Sequence, residues 1–217
     1  ERFIPEIKGI INRIQFDEYH LYPVDRHSLR TVRTIKSFGT DEDITGDWLC
    51  GNLYQELKNR KLLLWAALLH DIGKGEPGGG HSVRGAGIVR QILTRMGFKQ
   101  EKIEAITFLV EEHLLLIKTA TRRDINDEET AFFCAGKIKD IELLKMLYIL
   151  TVADSISTGP KAWNDWTFTL LRDFFLKILS IMEKGELASK EAVEAVENKK
   201  RKLHHKINII ILCRINH

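Results

Sequence analysis

Cysteine is scarce in this chain, and the few cysteines present form no recognisable pattern. There are 3 among 217 residues, namely Cys50, Cys134 and Cys213. Their number is odd, their spacing is wide and no CxxC pair occurs, which argues against a disulfide framework and against a thiolate zinc site. We therefore expect a protein that works in a reducing compartment, the cytoplasm.

Long hydrophobic runs and a strong charge of either sign are also missing. No stretch approaches the roughly 20 apolar residues that a membrane-spanning helix needs, and the N-terminus has no signal-peptide pattern. The 33 basic and 30 acidic residues nearly cancel, which leaves a formal net charge of +3. We therefore expect neither a membrane nor a nucleic acid as partner, although a mildly basic site for a phosphate-bearing ligand remains possible.

Apolar residues recur with helical spacing through most of the chain. The pattern predicts helices at about 24–35, 53–71, 81–96, 100–116, 128–137, 140–154 and 160–184. Loops are predicted at 38–47, 76–80 and 119–127, the last with Asp124 or Asp127 as a cap for the next helix. No strand-like alternation of useful length occurs, so the predicted fold class is all-α.

The chain divides by composition into two parts. We expect one domain over residues 1–185 and a charged helical tail or linker over residues 186–217. Because the chain begins at Glu1 without a methionine, we also expect it to be part of a longer protein.

The adjacent pair His70-Asp71 is the most informative local feature. It ends the largely apolar run 62–69 and precedes two glycines, Gly73 and Gly75. An apolar helix that brings an imidazole and a carboxylate to one point indicates that something polar binds there. Both groups are ligands that first-row divalent metals accept.

Other histidines and aspartates occur in an order that would complete a metal site. The first proposed set is His27, His70, Asp71 and Asp154, and the second is His81 and His113 with Asp71 as a bridging carboxylate. Two divalent ions about 3.5–4 Å apart can activate a water and neutralise a phosphoryl group. The pattern thus predicts one or two ions.

Each of these residues has a simpler explanation when it is taken alone. A single histidine at a helix end is more often a surface or capping residue than a ligand. Asp154 could likewise cap the loop that precedes Pro160. The remaining histidines fit neither set, and we expect them on the surface: His20, His204, His205 and His217.

The ordered pattern of His27, His70-Asp71 and Asp154 resembles the HD superfamily of metal-dependent phosphohydrolases. That resemblance implies an all-helical bundle with the metal site at its centre, and His81 and His113 are similar to residues of members that bind two metals. Three further stretches, 17–29, 119–127 and 147–166, are similar to the HD domain of the bacterial bifunctional uridylyltransferase/uridylyl-removing enzymes. The resemblance covers residues 10–180.

The resemblance implies an activity and partners. It implies hydrolysis, by a metal-activated water, of the phosphodiester that joins UMP to a tyrosine of a PII signalling protein, with divalent Mn, Fe, Zn, Co, Ni or Mg. In that family a nucleotidyltransferase domain precedes the HD domain and ACT domains follow it, and neither is found in these 217 residues. Two alternatives stay open: an HD phosphohydrolase or phosphodiesterase acting on a free nucleotide, and a regulatory module in which the metal is a structural staple.

Three basic residues are candidates for a catalytic role at the phosphate. Lys74 could place its ammonium against the phosphate, or it could be a solvated lysine in a glycine-rich loop. Arg122 and Arg123 carry guanidinium groups, which bind phosphate in a bidentate way. Their alternative is a salt bridge with Asp124.

Four residues that follow Asp154 are considered as parts of the mouth of the site. Lys161 and Asn164 are candidate substrate-binding residues there. Trp163 and Trp166 lie three residues apart and therefore on one helical face. We expect both tryptophans in the core rather than as a platform for a uracil ring, because large aromatic side chains are mostly buried.

Overall fold

The regular structure of the computed structural model is helical. The structure describes residues 3–14, 21–40 and 48–185. Its α-helices are α1 (Val24–Ser37), α2 (Trp48–Glu56), α3 (Arg60–Leu69), α4 (His81–Arg95), α5 (Gln100–Glu112), α6 (Leu115–Arg122), α7 (Glu128–Lys137), α8 (Ile141–Thr158) and α9, residues 165–185. Short 3-10 turns cover Pro5–Gly9 and Ile72–Gly75. No strand occurs in these ranges, and the predicted all-α class is confirmed.

Some sequence expectations fall on residues outside the described ranges. They are the similarity at 17–20, the loop at 41–47, the tail 186–217, Cys213 and the histidines His20, His204, His205 and His217. Within the described ranges, no helix is both long enough and apolar enough to cross a membrane.

The helix predicted over 53–71 is in fact two helices, and the break depends on a distant residue. Between α2 and α3 the backbone N–H groups of Lys58 and Asn59 donate to Glu142 Oε1 at 2.8 and 3.4 Å. Glu142 lies on α8 and is far away along the chain. A break that is stabilised by such a tertiary contact leaves no local signal, which explains why helical periodicity alone runs through it.

Two other predicted boundaries also differ. The helix predicted over 100–116 ends at Glu112, and α6 follows from Leu115 to Arg122, so the first four residues of the predicted connector 119–127 are helical. The helix predicted over 140–154 continues to Thr158. Asp154 therefore lies inside α8 and does not cap a loop.

Helix α8 runs through the middle of the fold. Thirteen of its 18 residues are buried, and it contacts α1, α2, α3, α5 and α6. A helix that is apolar around its whole circumference is expected to be surrounded by other helices. Its N-terminus is capped by Asp140, whose carboxylate accepts the backbone N–H of Leu143 at 2.8 Å.

The turn Ile72–Gly75 packs closely against the first half of α4. Gly73 is buried, and a Cβ atom built on it would lie 2.0 Å from the carbonyl oxygen of His81 and 2.6 Å from the backbone nitrogen of Gly85. Only glycine permits this approach of two backbones. The approach brings the turn that follows His70-Asp71 next to His81.

Candidate metal centre

Two of the six predicted metal ligands are held in the same way at the ends of two helices. His70 directly follows α3 and His113 directly follows α5. In each ring Nδ1 lies at hydrogen-bond distance from the carbonyl oxygen three residues earlier, 2.8 Å to Ala67 and 2.7 Å to Val110. With Nδ1 as the donor, the lone pair of the neutral imidazole is on Nε2, the atom that points to the cluster.

The first group of side chains consists of His27, His70 and Asp154, from α1, the end of α3 and α8. The Nε2 atoms of the two histidines are 3.2 Å apart. Oδ1 of Asp154 lies 2.7 Å from Nε2 of His27 and 3.5 Å from Nε2 of His70. Both histidines are essentially inaccessible to solvent. Three separate helices thus bring three potential donor atoms to one buried point.

The second group consists of His81, His113 and Asp71. Nε2 of His81 lies 3.4 Å from Nε2 of His113. Oδ1 of Asp71 is 3.4 Å from His81 Nε2 and 3.8 Å from His113 Nε2. His81 is the first residue of α4 and is partly exposed, whereas the other two side chains are buried.

The carboxylate of Asp71 lies between the two groups. Its Oδ1 faces the second group, while its Oδ2 is 3.3 Å from Nε2 of His70 and 3.7 Å from Nε2 of His27. The same Oδ2 accepts a hydrogen bond of 2.7 Å from the ammonium of Lys74. The two oxygens of Asp71 thus face different groups, and its role as a bridging ligand stays a prediction.

The donor atoms have the spacing and chemistry that a divalent ion requires. Two ligand atoms that are each about 2.1 Å from one ion, at angles between 90° and 109°, are about 3.0–3.4 Å apart. The two histidine pairs, at 3.2 and 3.4 Å, match this spacing. Asp71 Oδ1 is buried and accepts no hydrogen bond from the described part of the chain. A buried carboxylate oxygen in this state suits a metal ligand.

The electrostatics of the cluster favour a positive charge at its centre. Burial opposes the charged form of His70, but the carboxylates of Asp71 and Asp154 outweigh burial and raise the pKa of His70 to about 10. Burial would raise the pKa of both carboxyl groups, yet the neighbouring imidazole of His70 holds each pKa well below its usual range. Both acids are therefore ionised, and without an ion His70 carries a proton near pH 7. A bound divalent cation would replace that proton and leave His70 neutral.

The histidines of the second group are harder to protonate. Burial, followed by the nearby charge of His70, lowers the pKa of His113 to about 4. Burial also lowers the pKa of His81. Both imidazoles are thus neutral near pH 7, which is the form that binds a metal.

A cavity of about 480 Å³ opens beside the cluster. It is lined by Asp71, Lys74, His81, His113, Leu114, Ile117, Thr121, Asp154, Ser155, Thr158, Lys161, Ala162, Asn164, Trp166 and Thr167. The lining combines potential metal ligands with residues of the segment between α8 and α9. The predicted substrate-binding residues Lys161 and Asn164 both belong to the lining.

The three predicted catalytic residues differ in whether they line the cavity. Lys74 lines the cavity and contacts Asp71. Arg122 and Arg123, at the end of α6, are not among the lining residues. The guanidinium of Arg123 lies over the aromatic ring of Phe133, 5.4 Å from the centre of that ring. Their role at the phosphate stays a prediction.

The two tryptophans also differ in burial. Trp163 is partly buried and packs edge-on against Phe168, with ring centres 5.7 Å apart. Trp166 is 61% exposed and lines the cavity, so the expectation that it belongs to the core is wrong. The buried stripe of α9 runs through Thr167 and Leu171, and Trp166 lies beside this stripe.

Several lining residues were not singled out from the sequence, although a signal for them exists. Thr158 follows Asp154 by four residues on α8, and Ile117 and Thr121 lie four residues apart on α6. A spacing of four residues places side chains on one face of a helix, so Asp154 points to Thr158. That signal is usable only when the ligand itself has been identified.

The comparison with protein families agrees with this geometry. The sequence profile of the HD domain family matches residues 24–159, a range that contains all six clustered histidines and aspartates. The chain belongs to the HD domain family. Members of this family are metal-dependent phosphohydrolases, and the chain is accordingly a hydrolase domain.

Similar full-length proteins narrow the comparison further. The chain is 38% identical over 188 residues to a bifunctional uridylyltransferase/uridylyl-removing enzyme from Gluconobacter oxydans, a match that covers 87% of this chain and 20% of the relative. It is 37% identical over 183 residues to the proteins of that name from Vibrio campbellii and Ruegeria pomeroyi, in each case over 84% of this chain. The chain thus spans about a fifth of the length of these curated relatives.

Proposed function

We propose that this domain hydrolyses a phosphodiester with the help of divalent metal ions, and that its substrate is a PII-type signalling protein carrying UMP on a tyrosine. The observation that carries the proposal is the buried carboxylate of Asp71, which faces His27 and His70 through one oxygen and His81 and His113 through the other. The similarity to uridylyl-removing enzymes supports the choice of substrate.

We propose His27, His70, Asp71 and Asp154 as ligands of one ion and His81, His113 and Asp71 as ligands of a second. Bound ions would activate a water and neutralise charge on the phosphoryl group. The histidine and carboxylate donors suit Mn, Fe, Co, Ni or Zn, whereas Mg prefers oxygen ligands alone.

The chain itself prepares the site before substrate arrives. The bonds of His70 and His113 to the carbonyl groups of Ala67 and Val110 hold each ring in one orientation. Lys74 holds Asp71 in place through its 2.7 Å hydrogen bond. Because these groups are already oriented, little reorganisation is needed when charge develops on the phosphate.

Charged residues at the cavity can hold the substrate. Lys74 and Lys161 line the cavity and supply positive charge for the phosphate, and the amide of Asn164 supplies a neutral polar group. We keep Arg122 and Arg123 as phosphate-binding candidates that substitution must test. A location in the cytoplasm, where the buried thiol of Cys134 stays reduced, completes the proposal.

A free nucleotide is the second candidate substrate. The cavity of about 480 Å³ lies within the usual range of small-molecule sites and is large enough for a mononucleotide. On this alternative the domain is an HD phosphohydrolase or phosphodiesterase that needs no protein substrate. The regulatory module with a structural metal ranks third, since the centre opens to a cavity.

The experiment that tests the proposal is release of UMP from uridylylated PII protein by the purified chain. We expect release with Mn²⁺ and none after chelation. Asp71→Asn should abolish release, while Asp173→Asn, a change of the same kind at an exposed residue of α9, should leave it intact. Hydrolysis of free nucleotides without release from PII would move the second candidate to first place, and release that survives chelation would contradict the metal-dependent mechanism.

A further inference from the structure

An exposed tryptophan lines the same cavity as the His/Asp cluster. Trp166 is 61% exposed although it is the largest type of apolar side chain. It lies in the first turn of α9, and the loop that precedes it contributes Lys161 and Asn164 to the same cavity. A side chain of this size has a large apolar surface that water alone solvates poorly.

The wall of this cavity has apolar as well as polar groups. Leu114, Ile117 and Ala162 line the cavity together with Trp166 and are each partly buried. Apolar and aromatic side chains are the usual lining of small-molecule sites.

Asn164 adds a polar group to this wall. Its Oδ1 accepts hydrogen bonds from the backbone N–H and the hydroxyl of Thr167, at 3.0 and 3.3 Å. These bonds fix the side chain at the start of α9. With the oxygen engaged, the amide nitrogen is the group that can donate to a ligand.

The groups that this one cavity combines define what it can bind. Potential metal ligands and Lys74, which would hold a phosphate, line the same cavity as Trp166. A nucleotide has a phosphate at one end and a flat base at the other. We infer that Trp166 is the stacking surface for the nucleobase of the nucleotidyl group, with Leu114, Ile117 and Asn164 completing the subsite. This inference rests on the proposed function for the phosphate end only.

The test is binding of UMP, ribose 5-phosphate and phosphotyrosine to the chain in the presence of Mn²⁺, measured by calorimetry. The chain should bind UMP more tightly than ribose 5-phosphate, which lacks the base. Base stacking on an aromatic side chain is worth a factor of about 5–150 in affinity. Trp166→Ala should therefore weaken UMP binding by a factor in this range and leave ribose 5-phosphate binding unchanged. Trp166→Phe should retain most of the affinity.

Trp48 provides the matched control. It is 73% exposed on α2 and is not among the cavity-lining residues. Trp48→Ala should bind UMP as the unchanged chain does. Because both tryptophans are exposed, both alanine variants should fold, and their circular dichroism should match that of the unchanged chain. Quenching of tryptophan fluorescence by UMP should be lost in Trp166→Phe and kept in Trp48→Phe.

Three outcomes would overturn the inference. They are equal affinity of the unchanged chain for UMP and ribose 5-phosphate, unchanged UMP binding in Trp166→Ala, and a loss confined to phosphotyrosine, which would assign the wall to the tyrosine side of the substrate. Base-dependent binding through Trp166 without release of UMP from PII would refute the proposed protein substrate while leaving the subsite in place. Release of UMP from PII, with no effect of Trp166→Ala on UMP binding, would refute the subsite while leaving the proposed protein substrate in place.

Discussion

The close contact between the turn Ile72–Gly75 and helix α4 makes Gly73→Ala an informative substitution. A Cβ atom at residue 73 would lie 2.0 Å from His81 O, and real Cβ atoms are essentially never closer than 3.0 Å to another heavy atom. The turn and α4 must therefore separate by about 1 Å. Both neighbouring atoms belong to the backbone, so rotation of a side chain cannot relieve the contact.

The magnitude follows from the cost of overpacking a core. Inserting a methyl group into a packed region costs about 1–3 kcal/mol. For a chain of this size each kcal/mol lowers the melting temperature by about 2–4 °C, so we expect a decrease of about 2–12 °C. The separation also moves Asp71 away from His81. In the unchanged chain Oδ1 of Asp71 lies 3.4 Å from Nε2 of His81. Displacements of about 1 Å in an active site can cost a factor of about 100 in rate.

The assay combines thermal unfolding, followed by circular dichroism, with metal-dependent release of UMP. Gly87→Ala is the control, because Gly87 lies on α4 itself and a Cβ there meets nothing within 4 Å. Alanine has the higher helix propensity, so Gly87→Ala should stabilise the chain by about 0.5–1 kcal/mol. A Gly73→Ala variant with the melting temperature and activity of the unchanged chain would refute the packing argument.

The remaining predictions concern the metal ligands, a helix cap and a buried thiol. His70→Ala or Asp71→Ala should each remove bound metal and hydrolysis, as judged by metal analysis and UMP release, and a variant that keeps both would refute the ligand assignment. Asp140→Ala removes the cap of α8 and should lower the free energy of unfolding by about 1 kcal/mol, with Asp140→Ser close to the unchanged chain; equal denaturation midpoints would contradict this. Burial raises the pKa of the Cys134 thiol, so with Cys50 and Cys213 changed to serine, iodoacetamide should label the chain only after unfolding. Rapid labelling of the folded chain would count against a buried Cys134.

The parts of the site that can be proposed from the sequence are those with a chemical signature. His70-Asp71 ends an apolar run, and the order of the other histidines and aspartates picks out the six residues of the two groups. These residues are recognisable because imidazole and carboxylate are ligands that first-row divalent ions accept. The structure brings the six side chains together in two groups, and their role as metal ligands stays a prediction.

The parts that the sequence does not predict depend on contacts between distant residues. The break between α2 and α3 is stabilised by Glu142 from α8. Trp166 is exposed because the buried stripe of α9 passes through Thr167 and Leu171, and the composition of the segment alone favours burial of both tryptophans. Local periodicity describes one helix at a time, whereas these features are decided by how helices meet.

Anomalous diffraction from crystals of the chain grown with Mn²⁺ would show whether Asp71 joins two metal sites. We expect two anomalous peaks about 3.5–4 Å apart, one near His27, His70 and Asp154 and the other near His81 and His113, with the carboxylate of Asp71 between them. No peak at these residues, or a single peak that Asp71 does not contact, would refute a site of two metals joined by Asp71.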